Sequence, residues 1–237
     1  MSASSPTTAP RAAKKSDETR SRILEAALAL FRQHGFASTT MRDIAKEAGV
    51  ALGAAYYYFD SKDALVTAFY VQASQELTPL AEAALVEAKT LEERLRALLR
   101  VKFEYFAPNR SLMAALSAHI DPQNPLSPFS PQAQAIRDQD IALFARALEG
   151  SNVRVSDELK QHLPRLLWLY QMGLLLFWVY DGSPRQTKTM RLFEKTVSIV
   201  SSLIKLSGFA LLRPVRKIAM DLLDTIYADD TTAEAIP

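Results

Sequence analysis

The sequence predicts an all-α fold in two parts, a small three-helix domain at the N-terminus and a larger helical domain after it. Three observations carry this expectation. Apolar residues recur at three- and four-residue spacing through most of the chain, and no stretch reads convincingly as a strand or a repeat. Gly35, Pro108, Gly150 and the run Asp181-Gly182-Ser183-Pro184 break those patterns at helix-length intervals. Thr39 to Lys62 sets two short helical patterns on either side of a glycine, the grammar of a helix-turn-helix.

Taken in order, Met1 to Lys15 is rich in Ser, Thr, Ala and Pro and reads as a disordered tail, neither a signal peptide nor a membrane span. Arg11, Lys14 and Lys15 make that tail basic, a composition suited to following a nucleic-acid backbone. The first helix opens at Ser16 or Asp17 and ends at Gly35, with Ile23, Ala27, Leu30 and Phe31 as its apolar face. Thr40 is the natural cap of the next helix, and Asp43 stands where it can reach back to the exposed amides. Gly49 makes the turn without steric cost if its φ is positive. A second short helix runs from about Ala51 to Tyr57, and Asp60 or Ser61 caps the long helix that follows.

That long helix is expected to break near Pro79 and to resume toward Lys89. Thr90 and Glu93 open another helix, with Leu91, Leu95, Leu98, Leu99, Phe103 and Phe106 on one side. A short helix spans Ser111 to Ala118. Prolines 122, 125, 128 and 131 then recur every third residue, which favours extended, polyproline-like backbone, as a plain loop or as a stiff flap. Pro131 suits the first turn of a helix running to Leu148, with Ile136, Ile141, Phe144 and Leu148 inward. Leu166 to Tyr180 is too short to span a bilayer and reads as a helix buried on two sides, started or kinked by Pro164. The next helix carries Leu192, Phe193, Val197, Val200, Leu203 and Ile204, and a final amphipathic helix is expected after Pro214.

Composition narrows the function classes. The absence of cysteine excludes disulfides, thiolate nucleophiles and Cys-type zinc sites, and is compatible with a cytoplasmic protein. Histidines 34, 119 and 162 have no metal-ligand spacing, and there is no glycine-rich phosphate loop or nucleophile elbow, so the chain does not read as an enzyme. Neither a cofactor nor a metal is expected. The net charge is only +2, but residues 1–62 carry nine Lys/Arg against six Asp/Glu, whereas the remainder carries 19 against 20. The basic excess therefore lies at the helix-turn-helix end.

Thr39, Thr40, Arg42, Asp43, Ile44, Ala45, Ala48, Gly49, Val50, Gly53, Tyr56, Tyr57, Phe59, Ser61 and Lys62 together resemble the DNA-binding region of the TetR family of transcriptional regulators. The resemblance covers roughly residues 17–70. It implies a homodimeric regulator, most often a repressor, that binds a double-stranded DNA operator with twofold symmetry and responds to a small hydrophobic effector. DNA contact is then expected from Thr39, Thr40, Arg42, Ala51, Leu52, Gly53, Ala54, Tyr56, Tyr57, Tyr58 and Lys62, with Phe59 inside. The chain departs from the family pattern at Ala51, Leu52, Ala54 and Ala55, none of which can form a bidentate hydrogen bond to a base. Base choice could therefore come from thymine methyl groups against Leu52 and the alanines. Thr39, Thr40, Arg42 and the tyrosines are a second source, and DNA shape a third.

The expected division is a tail over 1–15, the DNA-binding domain over 16–62, and an effector-binding and dimerisation domain over 63–237. Two apolar helices joined by a tight turn suit pairing with a second copy, through Leu166, Tyr170, Gly173, Leu174, Phe177, Val200, Leu203 and Ile204. The effector is expected among Phe103, Phe106, Met113, Trp168 and Met172, oriented by His119 and Gln171; the alternative is that these residues only fill a solid core. A helix-turn-helix reused to bind another protein is the rival reading, separable by a salt-dependent gel shift.

Overall fold

The computed structural model describes residues 9–207. Among them stand nine α-helices and no strand: α1 (Ala9–His34), α2 (Met41–Glu47), α3 (Leu52–Tyr58), α4 (Lys62–Glu87), α5 (Leu91–Phe106), α6 (Arg110–Leu116), α7 (Gln134–Glu149), α8 (Asp157–Tyr180) and α9 (Thr187–Ser207). The helix expected after Pro214 lies outside the described residues. No described helix is long and apolar enough to cross a membrane.

Local chemistry sets the helix ends near the N-terminus. Gly35 takes φ +84° and Gly49 φ +64°, the left-handed backbone that glycine adopts without a Cβ penalty. After α2, the Val50 amide donates to Ala45 O at 3.0 Å and the Gly49 amide to Lys46 O at 3.1 Å, the paired bonds of a Schellman ending. At the other end of α2 the capping box is complete. The Thr40 amide donates to the Asp43 carboxylate at 2.9 Å, and the Asp43 amide donates to the Thr40 hydroxyl at 3.2 Å. Ser61 caps α4 by accepting from the Ala64 amide at 3.1 Å.

The chain divides into two compact units, Met1–Glu76 with Tyr105–Arg137, and Leu77–Glu104 with Asp138–Pro237. In the first, Ile23, Ala27 and Phe31 of α1 are buried along with Ile44 and Ala45 of α2, Ala55 of α3, Phe59, and Leu65 and Phe69 of α4. In the second, the expected face of α5 is buried from Leu91 to Phe103. Phe103 lies edge-on to Trp178 at 5.5 Å and to Phe193 at 5.7 Å between ring centroids. Arg94 binds the C-terminal ends of two helices here, donating to Leu85 O and Ala88 O at 2.8 Å and to Ala147 O at 2.9 Å.

Several boundaries differ from the sequence expectation. Helix α1 starts at Ala9, ahead of Ser16. Helix α4 runs through Pro79 without a break. A mid-helix proline costs about 3 kcal/mol, but Leu77 and Leu85 on either side are 7% and 5% exposed. Burial of the two leucines contributes at least about as much. Pro164 likewise sits inside α8. Helix α7 begins at Gln134, so Pro131 lies before it. Its buried residues are Leu143, Phe144 and Ala147, while Ile136, Ile141 and Leu148 are half-buried.

The proline segment is not extended. Amides of Asn124, Ser127, Ser130 and Ala133 donate to carbonyls of Asp121, Asn124, Ser127 and Ser130, each three residues back, at 2.9–3.2 Å. Four successive β-turns result, each with Asp, Asn or Ser first and Pro second, the residues a common turn prefers there. Arg137 holds the array by donating to Pro128 O and Ser130 O.

Candidate functional site

Helices α2 and α3 present one exposed face. Arg42 and Lys46, one helical turn apart on α2, are exposed, as are Ala51, Leu52, Gly53, Tyr56 and Tyr57. Tyr57 is 82% exposed, so folding buries little of its ring, which stands perpendicular to that of Tyr58 at 5.2 Å between centroids. Two cations and two phenols beside a small-residue helix can contact phosphates and base edges in a groove. Lys46 was missed from the sequence, although its i+4 spacing from Arg42 put it on the same face.

Other expected contacts are placed differently. Thr39 is buried at 3% exposure and donates its hydroxyl to Gly35 O at 2.9 Å, so its side chain closes the end of α1. Thr40 is exposed, but its hydroxyl donates to the Asp43 carboxylate at 2.6 Å. Those bonds from Thr40 hold the Asp43 carboxyl below its ordinary range. Ala54 is half-buried, as is Tyr58, whose hydroxyl accepts from Ser16 at 3.4 Å. The Lys62 ammonium donates to Phe36 O at 2.7 Å and lies 4.5 Å from the Phe36 ring centroid, which ties α4 to the chain after α1. Phe59 is buried, with the Arg20 guanidinium 4.8 Å from its ring centroid.

In the second unit, α8 and α9 leave an apolar surface open. Gly173, Leu176, Phe177 and Tyr180 of α8 are exposed, and so are Ile199, Leu203 and Leu206 of α9. Leu166, Tyr170 and Val200 are half-buried; the Tyr170 hydroxyl lies 2.6 Å from that of Thr196 within the same chain. Leu174 and Ile204, expected on this surface, are 3% and 6% exposed and back it from inside. The reason is angular. At about 100° per residue, Leu174 is turned about 80° from Leu166, and Ile204 returns to the buried Phe193 direction.

The residues expected around an effector fall in both units. Phe106, Met113 and His119 belong to the first. Phe106 meets Phe69 at 6.2 Å, and the His119 ring nitrogen Nδ1 pairs with the Asn124 amide at 3.0 Å. Phe103, Trp168, Gln171 and Met172 belong to the second, where Met172 is half-buried and the others buried. Gln171 is not a spare polar group: its amide donates to Asp140 at 2.8 Å, and its oxygen accepts from Lys102.

Two family models match the chain. Residues 23–69 match the bacterial regulatory proteins of the tetR family, and residues 94–222 match the tetracyclin repressor-like C-terminal domain. The regulator BetI of Agrobacterium fabrum is 35% identical over 106 residues, 44% of this chain and 51% of that protein. The regulator TtgR of Pseudomonas putida is 47% identical over 58 residues, 24% of this chain and 28% of its own length. The chain thus spans about half or less of these relatives. The Thermus thermophilus TetR-family repressor FadR, determined in complex with lauroyl-CoA, is 26% identical with a TM-score of 0.55, over 75% of this chain and 92% of that one. The chain matches family models and relatives that are transcriptional regulators. Its helix-turn-helix and its larger helical domain both place it in the TetR family.

Proposed function

We propose that the protein is a homodimeric repressor that leaves a palindromic operator when a small, largely apolar effector binds its larger helical domain. The exposed face of Arg42, Lys46, Leu52, Tyr56 and Tyr57 carries the reading. A second copy is the natural cover for Phe177, Leu203 and their neighbours, since an exposed apolar surface of this kind marks an interface. Twofold symmetry would then set two recognition helices about one duplex turn apart, roughly 34–36 Å, on a palindromic site. Phe103, Trp168 and Met172 of the second unit are the apolar wall we assign to the effector. The effector must prefer one of two states of the dimer, since a ligand with equal affinity for both shifts nothing.

The test begins with an operator selected from a pool of random duplexes. Binding is then followed by anisotropy across a salt series. Arg42→Ala should weaken binding and flatten the salt dependence by about one unit of slope, as one phosphate contact is lost. Tyr57→Ala should weaken binding without lowering the melting temperature, because the ring is exposed. Leu52→Ala should change preference at a thymine-containing position and leave non-specific binding nearly unchanged. Failure to select any duplex would favour the protein-binding alternative.

A further inference from the structure

The apolar interior of the second unit contains a charged cluster. Lys102 on α5 donates its ammonium to Asp140 on α7 and to the side-chain oxygen of Gln171 on α8. The Gln171 amide donates to the other Asp140 oxygen at 2.8 Å, which closes a ring of hydrogen bonds. The ammonium also lies 4.9 Å from the Phe144 ring centroid.

Packing does not require this arrangement. Position 102 falls one turn beyond Leu98 and two beyond Leu95, both fully buried, so an aliphatic side chain would continue the pattern. Desolvation of both ions opposes a buried pair, and apolar residues of similar volume are commonly as stable or more so. The burial is also uneven: the Lys102 side chain is 2% exposed, that of Asp140 23%. The cation is held inside, whereas its anion stands near the edge and has water to turn to. Burial pushes the Lys102 ammonium below its ordinary range and Asp140 opposes that shift, so the charge on Lys102 depends on an anion beside it.

We propose that Lys102 is the recognition point of an anion site, in which the carboxylate of an apolar acid replaces Asp140 and the Gln171 amide orients it. The inference rests on the effector reading above and deepens it by naming a ligand class, a monocarboxylate with a hydrocarbon body. A lone ammonium and one amide match the two oxygens of a single negative charge; a phosphate dianion would call for an arginine fork or further cations. A cationic ligand is disfavoured because it would have to expel Lys102, the buried member of the pair. Asp140 then serves as an internal stand-in that keeps Lys102 charged while the site is empty. Release of Asp140 from Lys102 distinguishes the bound state from the free one.

The experiment titrates full-length protein with octanoate, decanoate and dodecanoate below micelle formation, against the matching alcohols and decyltrimethylammonium. Tryptophan fluorescence, thermal shift and release of the selected operator are followed together. Wild type should bind at least one carboxylate about tenfold or more tightly than its alcohol, the factor expected of a hydrogen bond to a buried charge. Lys102→Met, checked for fold by circular dichroism, should bind acid and alcohol alike. Asp140→Asn keeps the lysine and removes its internal competitor, so decanoate should raise its melting temperature more than that of wild type. This second variant decides the matter if Lys102→Met does not fold. Equal affinity for acid and alcohol in wild type, a preference that survives Lys102→Met, or a smaller thermal shift in Asp140→Asn each overturns the site. Lysine-dependent binding without operator release supports the site and rejects effector control. Release of DNA by decanol from both wild type and Lys102→Met keeps effector control and rejects the anion site.

Discussion

Thr40 and Lys62 illustrate how polar side chains in the DNA-binding half build the element before they touch a ligand. The Thr40 hydroxyl and amide both engage Asp43. Thr40→Ala should therefore cost about 1 kcal/mol of stability, the usual loss for a helix cap, measured by denaturant unfolding. Lys62 is a cation at the corner where a phosphate contact was expected, but its ammonium is already given to Phe36 O and the Phe36 ring. Lys62→Ala should lower the melting temperature and weaken operator binding while leaving the salt slope unchanged. A slope reduced by about one unit would instead restore the direct phosphate role. The residue types were readable at both positions; the partner of Lys62, 26 residues away in sequence, was not.

At the scale of elements, the turn between α8 and α9 is organised by one carboxylate. Asp181 accepts from the Ser183 amide at 2.8 Å, and from the Thr189 amide and hydroxyl at 2.8 and 2.7 Å. Hydrogen bonds from Ser183, then those from Thr189, hold its carboxyl well below the ordinary carboxylate range. A carboxyl depressed in the folded state contributes stability that is complete above the unfolded value, near pH 4. That contribution is lost as the pH falls through the folded value. Asp181→Asn should therefore melt below wild type at pH 7, and the gap should narrow as the pH drops below about 4. Calorimetry of both proteins across pH 2–8 checks this, and a gap that widens in acid would refute it. The proline array is the instructive miss among the elements. Period-three proline alone suggests extended backbone, but Asp, Asn or Ser before each proline supplies the acceptor that folds every triplet into a turn.

For the molecule as a whole, the open face of α8 and α9 carries the prediction of assembly. Phe177 is 43% exposed and Leu203 60%, so a glutamate at either site would be tolerated by a monomer. In a dimer that buries this face, the same glutamate would be an unpaired buried charge. Phe177→Glu and Leu203→Glu should each halve the mass seen by dilute light scattering, with helicity retained, and weaken operator binding. Wild-type protein that scatters as a monomer would remove the dimer and the palindrome together.

The all-α class, the helix-turn-helix register, the cap at Thr40 and the turn at Gly49 were determined by the sequence itself. Each depends on residues within a few positions of one another and on backbone preferences that no distant neighbour overrides. Tertiary structure decided what depends on distant partners. It gave the Lys62 ammonium to Phe36 O, carried α4 through Pro79, and chose which side of α8 stayed open. It also brought Lys102 to Gln171 across 69 residues of chain. Nothing local in either residue states that pairing, because a buried charge declares its partner only once the helices around it have packed.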